Sequence, residues 1–246
     1  MRLQKLSFND FLGKFSISVG EAFEEYVVWG SIEKVYQHNG TADRKNYLSS
    51  IYQNYKNLLG IEFFDEILFF VGQKNGQRIK ISDISSYLSV DGSYVQEVLD
   101  IMQNYGLLII LKPYGFEGDM KIYFLDNGIL NFSINNFLGL EYRHDDGFLF
   151  EGFVISQFVM QGVKPENMYY WHDEYNKEID LVVDDKNFMG AFEIKLKKKL
   201  EKKDISTIKN FSQQKNCQKA VIRPFDSGFF EGVRLLSSTS KQYILQ

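Results

Sequence analysis

The stretch EIDLVVDDKNFMGAFEIKLKKK, residues 178–199, alternates apolar with polar side chains on both sides of a polar tetrapeptide. Alternation with a period of two is typical of β-strands, and the tetrapeptide at 184–187 supplies turn-forming Asp and Asn residues. We therefore predict a β-hairpin with its loop at 184–187. This register places Asp180 opposite Ala191 and Glu178 opposite Glu193.

The two faces of this hairpin differ in chemistry. Successive side chains of a strand point to opposite faces, so Asp180, Glu193 and Lys195 are expected on one face. In the predicted register the two carboxylates lie on a diagonal of the ladder, roughly 7–8 Å apart at the backbone, and both can reach one ion. The opposite face is wholly apolar and is predicted to be core. It consists of Ile179, Leu181, Val183, Phe188, Phe192, Ile194 and Leu196.

Two carboxylates beside a lysine suit a Mg²⁺ site that acts on phosphodiesters. Mg²⁺ takes oxygen ligands, usually from one or two carboxylates together with water and a substrate phosphate. The bound metal acidifies a water molecule, and a neighbouring ammonium group can stabilise negative charge in the transition state. We predict Asp180, Glu193 and Lys195 as catalytic residues. The alternative is a solvated strand pair on which Glu193 and Lys195 are simply same-face neighbours.

A helix predicted at 148–161, FLFEGFVISQFVMQ, supplies a further carboxylate. It is apolar nearly all round, which is typical of a buried helix. Glu151 lies on the same face as Ile155 and Phe158, at helical spacing. A carboxylate on a buried helix is costly unless it is paired, protonated or bound to metal. We therefore predict Asp180, Glu193 and Glu151 as the metal ligands.

The order Glu151, Asp180, Glu193-x-Lys195 resembles the restriction-endonuclease-like, or PD-(D/E)XK, nuclease superfamily. The resemblance implies cleavage of phosphodiesters with Mg²⁺ at these acidic positions. Ile179 stands where the nominal motif of that superfamily has proline. The predicted elements of residues 126–246 follow the α-β-β-β-α-β order of its core, with an edge strand at 168–172 and a crossover helix at 205–211.

A second resemblance covers nearly the whole chain. Its landmarks, in order, are LSFNDFL (6–12), EYVVWGSIEKVYQ (25–37), DRKNYLSSIYQNYKNLLGI (43–61), KIYFLDNGIL (121–130), FEGFV, EIDLVV and FEIK. The series is similar to the C-terminal region, of the domain of unknown function 4143 type, in bacterial AAA-type ATPases. Glu33 replaces the usual proline of the second landmark, and Ser31 replaces a glycine. The resemblance implies an ATPase core as a partner, in cis or in trans, through which the protein would oligomerise.

The sequence itself carries no G-x-x-x-x-G-K-[ST] loop to cradle a nucleotide phosphate. The ATPase core of that family would lie before residue 1. We expect the chain to be a C-terminal fragment of such an ATPase, the alternative being a natural protein that has lost the core. On either interpretation we predict no ATP site and no ATP hydrolysis by this chain alone.

The expected fold class is α/β, in three parts. Residues 1–61 form a helical region, 62–125 a winged-helix domain, and 126–246 a restriction-endonuclease-like mixed sheet with flanking helices. The third helix of the winged-helix segment, between Asp91 and Gly106, contains no Lys or Arg. Because phosphate contacts need cations, this favours packing between domains or against a partner over insertion into a DNA groove.

A basic run follows the hairpin, and Lys197, Lys198 and Lys199 are predicted to bind a nucleic-acid backbone. The alternative is a solvated loop with Glu201 and Asp204 as counter-charges. The net charge of −4 argues against a protein that mainly coats nucleic acid. A single cysteine and the lack of a long apolar run favour a cytoplasmic protein without a membrane segment. Two functions stay open, namely a Mg²⁺-dependent endonuclease and a non-catalytic module for nucleic-acid binding or assembly.

Overall fold

The computed structural model describes residues 4–197 and 199–239. The helices are α1 (Phe8–Lys14), α2 (Val19–Trp29), α3 (Gly40–Leu59), α4 (Phe64–Gln73), α5 (Ile81–Leu88), α6 (Gly92–Asn104), α7 (Asn127–Ser133), α8 (Asp146–Met160) and α9 (Lys203–Lys215). The strands are β1 (Arg78–Ile79), β2 (Leu108–Pro113), β3 (Met120–Phe124), β4 (Met168–His172), β5 (Glu178–Asp184), β6 (Met189–Ile194), β7 (Gln218–Arg223), β8 (Gly228–Phe230) and β9 (Val233–Ser237). The predicted α/β class is confirmed.

Within the described residues the strands form one nine-stranded mixed sheet, in the order β1-β3-β2-β4-β5-β6-β7-β9-β8. Strand β4 was predicted to be an edge strand, and this is wrong. It pairs in parallel with β2 on one side and antiparallel with β5 on the other. Residues 62–125 and 126–246 therefore share one continuous sheet, while the predicted domain boundaries stay predictions.

The hairpin of β5 and β6 forms as predicted, but its register differs by two residues. Asp184 pairs with Met189, so the loop is 185–188 instead of 184–187. The Asp185 carboxylate holds this turn by accepting the backbone N–H groups of Asn187 and Phe188, each at 2.9 Å. The same register, continued along the strands, sets Asp180 directly opposite Glu193.

A bulge in β5 changes the direction of its side chains at the same point. Tyr170 of β4 faces two residues of β5, Asp180 and Leu181, because the register between these strands shifts by one. A bulge re-aims the side chains on either side of it. Ile179 and Val182, three residues apart, consequently pack in the same cluster, whereas Leu181 packs in the other. The predicted apolar face is therefore wrong at Ile179.

Helices α8 and α9 pack beside the central strands in two separate clusters of buried side chains. In one cluster Phe158 of α8 contacts Phe192 of β6, with ring centroids 5.0 Å apart. In the other, Ile208 of α9 lies with Ala191 and Val182. Strands β6 and β7 are parallel, so α9 is the crossover helix that the sequence predicted.

The N-terminal helices dock on the rest of the molecule through α7. Asp126 is the N-cap of α7 and accepts the Ile129 N–H, while its second oxygen accepts the N–H and hydroxyl of Ser31. Gly128 lies so close to the end of α2 that a Cβ atom would come within 2.2 Å of the Trp29 carbonyl oxygen. The DNG sequence at 126–128 therefore joins two distant segments.

Residues 62–125 contain helix, strand, two helices and two strands. The sequence predicted the three helices and the last two strands, but not the short strand β1. Strand β3 lies between β1 and β2, antiparallel to both. Strands β2 and β4 separate β3 from β5 in the sheet, but the Lys121 side chain of β3 still reaches Glu178 of β5. The described helices include none that is both long and apolar enough to cross a membrane.

Candidate functional site

A cleft of about 820 Å³, here called the acidic cleft, opens where β5 and β6 meet the start of α8. Three of the predicted catalytic and metal-binding residues line it, namely Glu151, Asp180 and Lys195. Glu193 lies just beneath and is 3% exposed. The four residues predicted from distant parts of the chain therefore converge at one place.

Lys195 joins the two hairpin carboxylates. Its Nζ lies 3.0 Å from Asp180 Oδ2 and 2.8 Å from Glu193 Oε2. Asp180 Oδ2 also accepts the backbone N–H of Ile194 at 2.7 Å. The described pairs of β5 and β6 end at Leu181 and Phe192. Beyond them, the Asp180 side chain accepts the N–H of Ile194.

Glu151 is joined to the site by a second lysine, which the sequence analysis missed. Lys121 of β3 is buried, and its Nζ lies 3.1 Å from Glu151 Oε1 and 2.5 Å from Glu178 Oε1. The Tyr123 hydroxyl donates to the same Glu151 oxygen. Lys121 also lies over the Tyr170 ring, 5.7 Å from its centroid.

Lys121 and Tyr123 could have been found from one signal. KIYFLDNGIL was recognised as a landmark, and its first and third residues are polar groups on an apolar strand. With a period of two they point to the same face. A buried lysine requires an anionic partner, so the pattern indicates a carboxylate nearby without saying which one.

Burial and charge act in opposite directions on the carboxyl groups of the site. Burial raises the pKa of Glu151 to about 7, against the attraction of Lys121. Burial would raise the pKa of Asp180 too, but the ammonium groups of Lys195 and Lys121 hold it below its ordinary value. At a pH between their two pKa values, Asp180 is therefore ionised while Glu151 holds a proton, although both line the same cleft.

The pKa of Glu193 is shifted in the opposite direction from that of Asp180. Burial, followed by the negative charge of Asp180, raises the pKa of Glu193 well above its ordinary range. Burial alone would lower the pKa of Lys195, but Asp180 and Glu193 raise it above its ordinary value. Two like charges side by side out of water favour one shared proton, which is the physical cause of the difference between Asp180 and Glu193.

The donor chemistry of the site fits a hard divalent cation. Glu151, Asp180 and Glu193 supply carboxylate oxygens, the ligand type that Mg²⁺ prefers. Within the described residues, however, no group of three or more His, Cys, Asp or Glu side chains is arranged to hold a metal. The ammonium groups of Lys121 and Lys195 contact the carboxylates instead. To bind a metal ion, the carboxylate oxygens must give up these lysine contacts or keep them while they bind the ion.

Of the three predicted phosphate-binding lysines, Lys197 is the one that the structure places at the acidic cleft. Lys197 lines the acidic cleft, but its Nζ is 2.5 Å from Asp204 Oδ2. Lys199 is exposed, and Lys198 falls outside the described residues. Glu201 pairs with Lys203 at 2.7 Å. The counter-charges proposed for this loop are therefore in contact with lysines, although Lys197 stays at the mouth of the cleft.

The wall of the acidic cleft carries more acidic than basic side chains. Besides the site residues it includes Glu141, Asp146 and Asp204 from three different segments. An anionic strand entering such a cleft needs a cation between its phosphates and these carboxylates.

Comparison with known proteins adds one finding. A family model described as a domain of unknown function (DUF4143) matches residues 146–233, which run from the start of α8 to the start of β9. The match contains Glu151, Asp180, Glu193 and Lys195, and it agrees with the resemblance found from the sequence for this part of the chain. No curated protein matches the chain. No solved structure matches it either.

Proposed function

We propose that this chain carries a Mg²⁺-dependent nuclease module that hydrolyses phosphodiesters at the acidic cleft. The observation that supports this most directly is the contact of one ammonium group, Lys195 Nζ, with both Asp180 and Glu193 at the end of a buried strand pair. Such a set is costly to bury and contributes little to stability by itself. A functional reason for the cluster is therefore favoured.

The roles follow from position. Asp180, Glu193 and Glu151 would hold the cation, and the bound cation would supply an acidified water and offset phosphate charge. Lys195 is 26% exposed at its side chain, so it can reach a phosphate oxygen in the cleft while its carboxylate partners hold it in place. Lys121 sets the position of Glu151 from behind. Water attacks phosphorus as the P–O bond to the leaving oxygen breaks, and that oxygen takes up a proton.

The wider assignment rests on resemblance. The landmark series supports a role as the C-terminal part of an AAA-type ATPase, acting with that core in cis or in trans, and the DUF4143 match covers residues 146–233 of the series. The single cysteine favours a cytoplasmic location. The element order of residues 62–125 supports a winged helix, and that of residues 126–237 supports a PD-(D/E)XK-like sheet. Nucleic acid would be the substrate, with Lys197, Lys198 and Lys199 at the backbone.

Cleavage of DNA tests this proposal. The protein is incubated with supercoiled and single-stranded DNA in the presence of Mg²⁺ or Mn²⁺, beside an Asp180→Ala variant. Asp65→Ala, a half-exposed carboxylate on α4, is the matched control. We expect nicking by the wild type and the control, and loss of at least about a hundredfold in Asp180→Ala. Equal nicking by all three proteins would identify a contaminant and contradict the proposal.

A non-catalytic module for nucleic-acid binding or assembly is the second candidate. Two observations favour it: the lysines already pair with the carboxylates, and no metal-type cluster is present among the described residues. Calorimetric titration with Mg²⁺, with and without DNA, separates the two candidates. Binding that is lost in Asp180→Ala favours the nuclease, whereas no heat under either condition favours the non-catalytic module.

A further inference from the structure

A second cavity, here called the side cavity, adjoins the acidic cleft. Its volume is about 440 Å³, and His144 and Phe148 line both spaces. A ligand with one group at the carboxylates can therefore extend a neighbouring group past Phe148 into the side cavity.

Exposed rings and aliphatic surface form one wall of the side cavity. Tyr142 is 68% exposed and Phe148 is 37% exposed, and Leu138 beside them is 54% exposed. Large apolar side chains exposed inside a concave surface mark a binding site more often than those scattered over a convex one. Aromatic rings of this kind stack on flat ligands.

Amide groups form another wall. Asn75 is 6% exposed, and its Nδ2 donates to the Phe148 carbonyl at 3.3 Å. Its Oδ1 is buried and finds no hydrogen-bond partner anywhere in the described part of the chain. Gln77 and Asn136 also line the cavity. Amides offer both donors and acceptors, as the edge of a nucleobase does.

The cavity's arginine is already engaged. The Arg143 guanidinium is fully buried and donates twice to Asp145, at 2.8 and 2.7 Å, and also to Asn131 and Asn136 at 2.8 Å each. These contacts neutralise the guanidinium and leave it out of reach of a ligand phosphate. An uncharged, flat group with polar edges therefore suits the side cavity better than a phosphate does.

We infer that the side cavity binds an unstacked base of a single-stranded nucleic acid whose phosphodiester lies in the acidic cleft. Tyr142 and Phe148 are the stacking residues, and the amides contact the edge of the base. This inference rests on the proposed nuclease function. Base–aromatic stacking is tolerant of sequence, and a paired base must first leave its duplex at a cost of a few kcal/mol, so single strands are preferred over duplexes.

Binding measurements with matched tyrosine variants test the inference. The full chain is titrated, in the presence of Ca²⁺, into a fluorescently labelled strand of about 12 nucleotides, either single-stranded or annealed to its complement. The fluorescence anisotropy of the strand measures binding. We expect Tyr142→Ala to weaken single-strand binding by about five- to a hundredfold, and Tyr142→Phe, which keeps the ring, by less than about twofold. The control is Tyr105→Ala, which removes a 55% exposed tyrosine outside both cavities and is expected to bind like the wild type.

The outcomes separate this inference from the proposed function. Unchanged single-strand binding by Tyr142→Ala, or equal losses in Tyr142→Ala and Tyr105→Ala, overturns the side cavity as a base site even if DNA is cleaved. Displacement of the bound strand by a tryptophan-containing peptide but not by a mononucleotide assigns the cavity to a peptide and overturns it too. Binding that depends on Tyr142 without any cleavage supports the base site and contradicts the proposed nuclease function. Absence of all nucleic-acid binding contradicts both.

Discussion

At the scale of single residues, Lys121 holds two carboxylates that come from different elements. Its ammonium group is buried between Glu151 and Glu178, which come from α8 and β5. Glu178 has a second, more exposed partner in Arg78 at 3.7 Å, whereas Glu151 pairs with no other cation among the described residues. A buried pair is weak evidence for stability, but breaking one leaves an uncompensated charge out of water.

We therefore predict that Lys121→Met lowers the free energy of unfolding by about 3–5 kcal/mol, as measured by urea unfolding. The control is Lys80→Met, whose ammonium group is mostly exposed and lies 3.9 Å from Asp119; its effect should stay within about 0.5 kcal/mol. A loss of less than about 1 kcal/mol in Lys121→Met would show that water or rearrangement satisfies the two carboxylates.

The raised pKa of Glu151 predicts a pH dependence of stability. Its pKa is about 7 in the folded protein, against an ordinary value of 4.5. The folded state then holds this proton more tightly, so the contribution of Glu151 to stability is complete below about pH 4.5 and is lost as the pH rises through 7. The loss amounts to at most about 3 kcal/mol.

We expect Glu151→Gln to lose less stability than the wild type between about pH 5 and about pH 8, because glutamine does not ionise. Glu141→Gln, an exposed residue of the same cleft, should keep the wild-type pH dependence. Chemical unfolding at the two pH values measures both. Parallel pH profiles for the wild type and Glu151→Gln would place the pKa of Glu151 near its ordinary value.

At the scale of elements, the docking of α2 on α7 depends on the small size of Gly128. A Cβ atom there would meet the Trp29 carbonyl oxygen at 2.2 Å, and backbone cannot move aside as a flexible side chain can. The Asp126 carboxylate ties the same two segments together through Ser31. This junction positions the N-terminal helices, and it lies next to β3, which carries Lys121.

Gly128→Ala should therefore destabilise the protein by about 1–3 kcal/mol or more, because of overpacking. Gly147→Ala is the matched control, since Gly147 also lies in the first turn of a helix and has nothing within 4 Å of its added Cβ. There the substitution should stabilise by roughly 0.5–1 kcal/mol. Thermal melts of both variants measure the difference, and similar melting temperatures would mean that α2 shifts freely on α7.

At the scale of the whole molecule, the segments are joined by shared structure. The sheet continues from β2 into β4, and one cluster of buried side chains runs from Phe8 in α1 to Leu236 in β9. The carboxylates of the acidic cleft come from one predicted domain, and Lys121, which pairs with Glu151, comes from another. These connections indicate that the described parts of the chain unfold together.

The two tryptophans allow this to be measured. Trp29 lies on α2 and Trp171 on β4. The fluorescence of the Trp29→Phe variant therefore reports on the region around Trp171, and that of Trp171→Phe on the region around Trp29. We expect both variants to unfold with the same denaturant midpoint after correction for the substitution, and to coincide with the transition seen by circular dichroism. Separate midpoints for the N-terminal and C-terminal reporters would show independently folding domains.

The sequence by itself determined the longer strands, the buried helix and the set Glu151, Asp180, Glu193 and Lys195, because alternation and helical spacing are local signals. It did not determine the hairpin register, since the choice between two four-residue loops depends on which Asp side chain closes the turn. The short strands β1 and β8 were missed for a related reason, as two or three residues carry no pattern.

Tertiary structure alone decided what surrounds the carboxylates. Lys121 reaches Glu151 only because α8 packs against β3. The bulge at Asp180 and the meeting of the two cavities at Phe148 likewise depend on contacts between segments far apart in the chain. Hydrophobic periodicity specifies which side chains are buried, whereas the partner of a buried charge is fixed by the packing of whole elements.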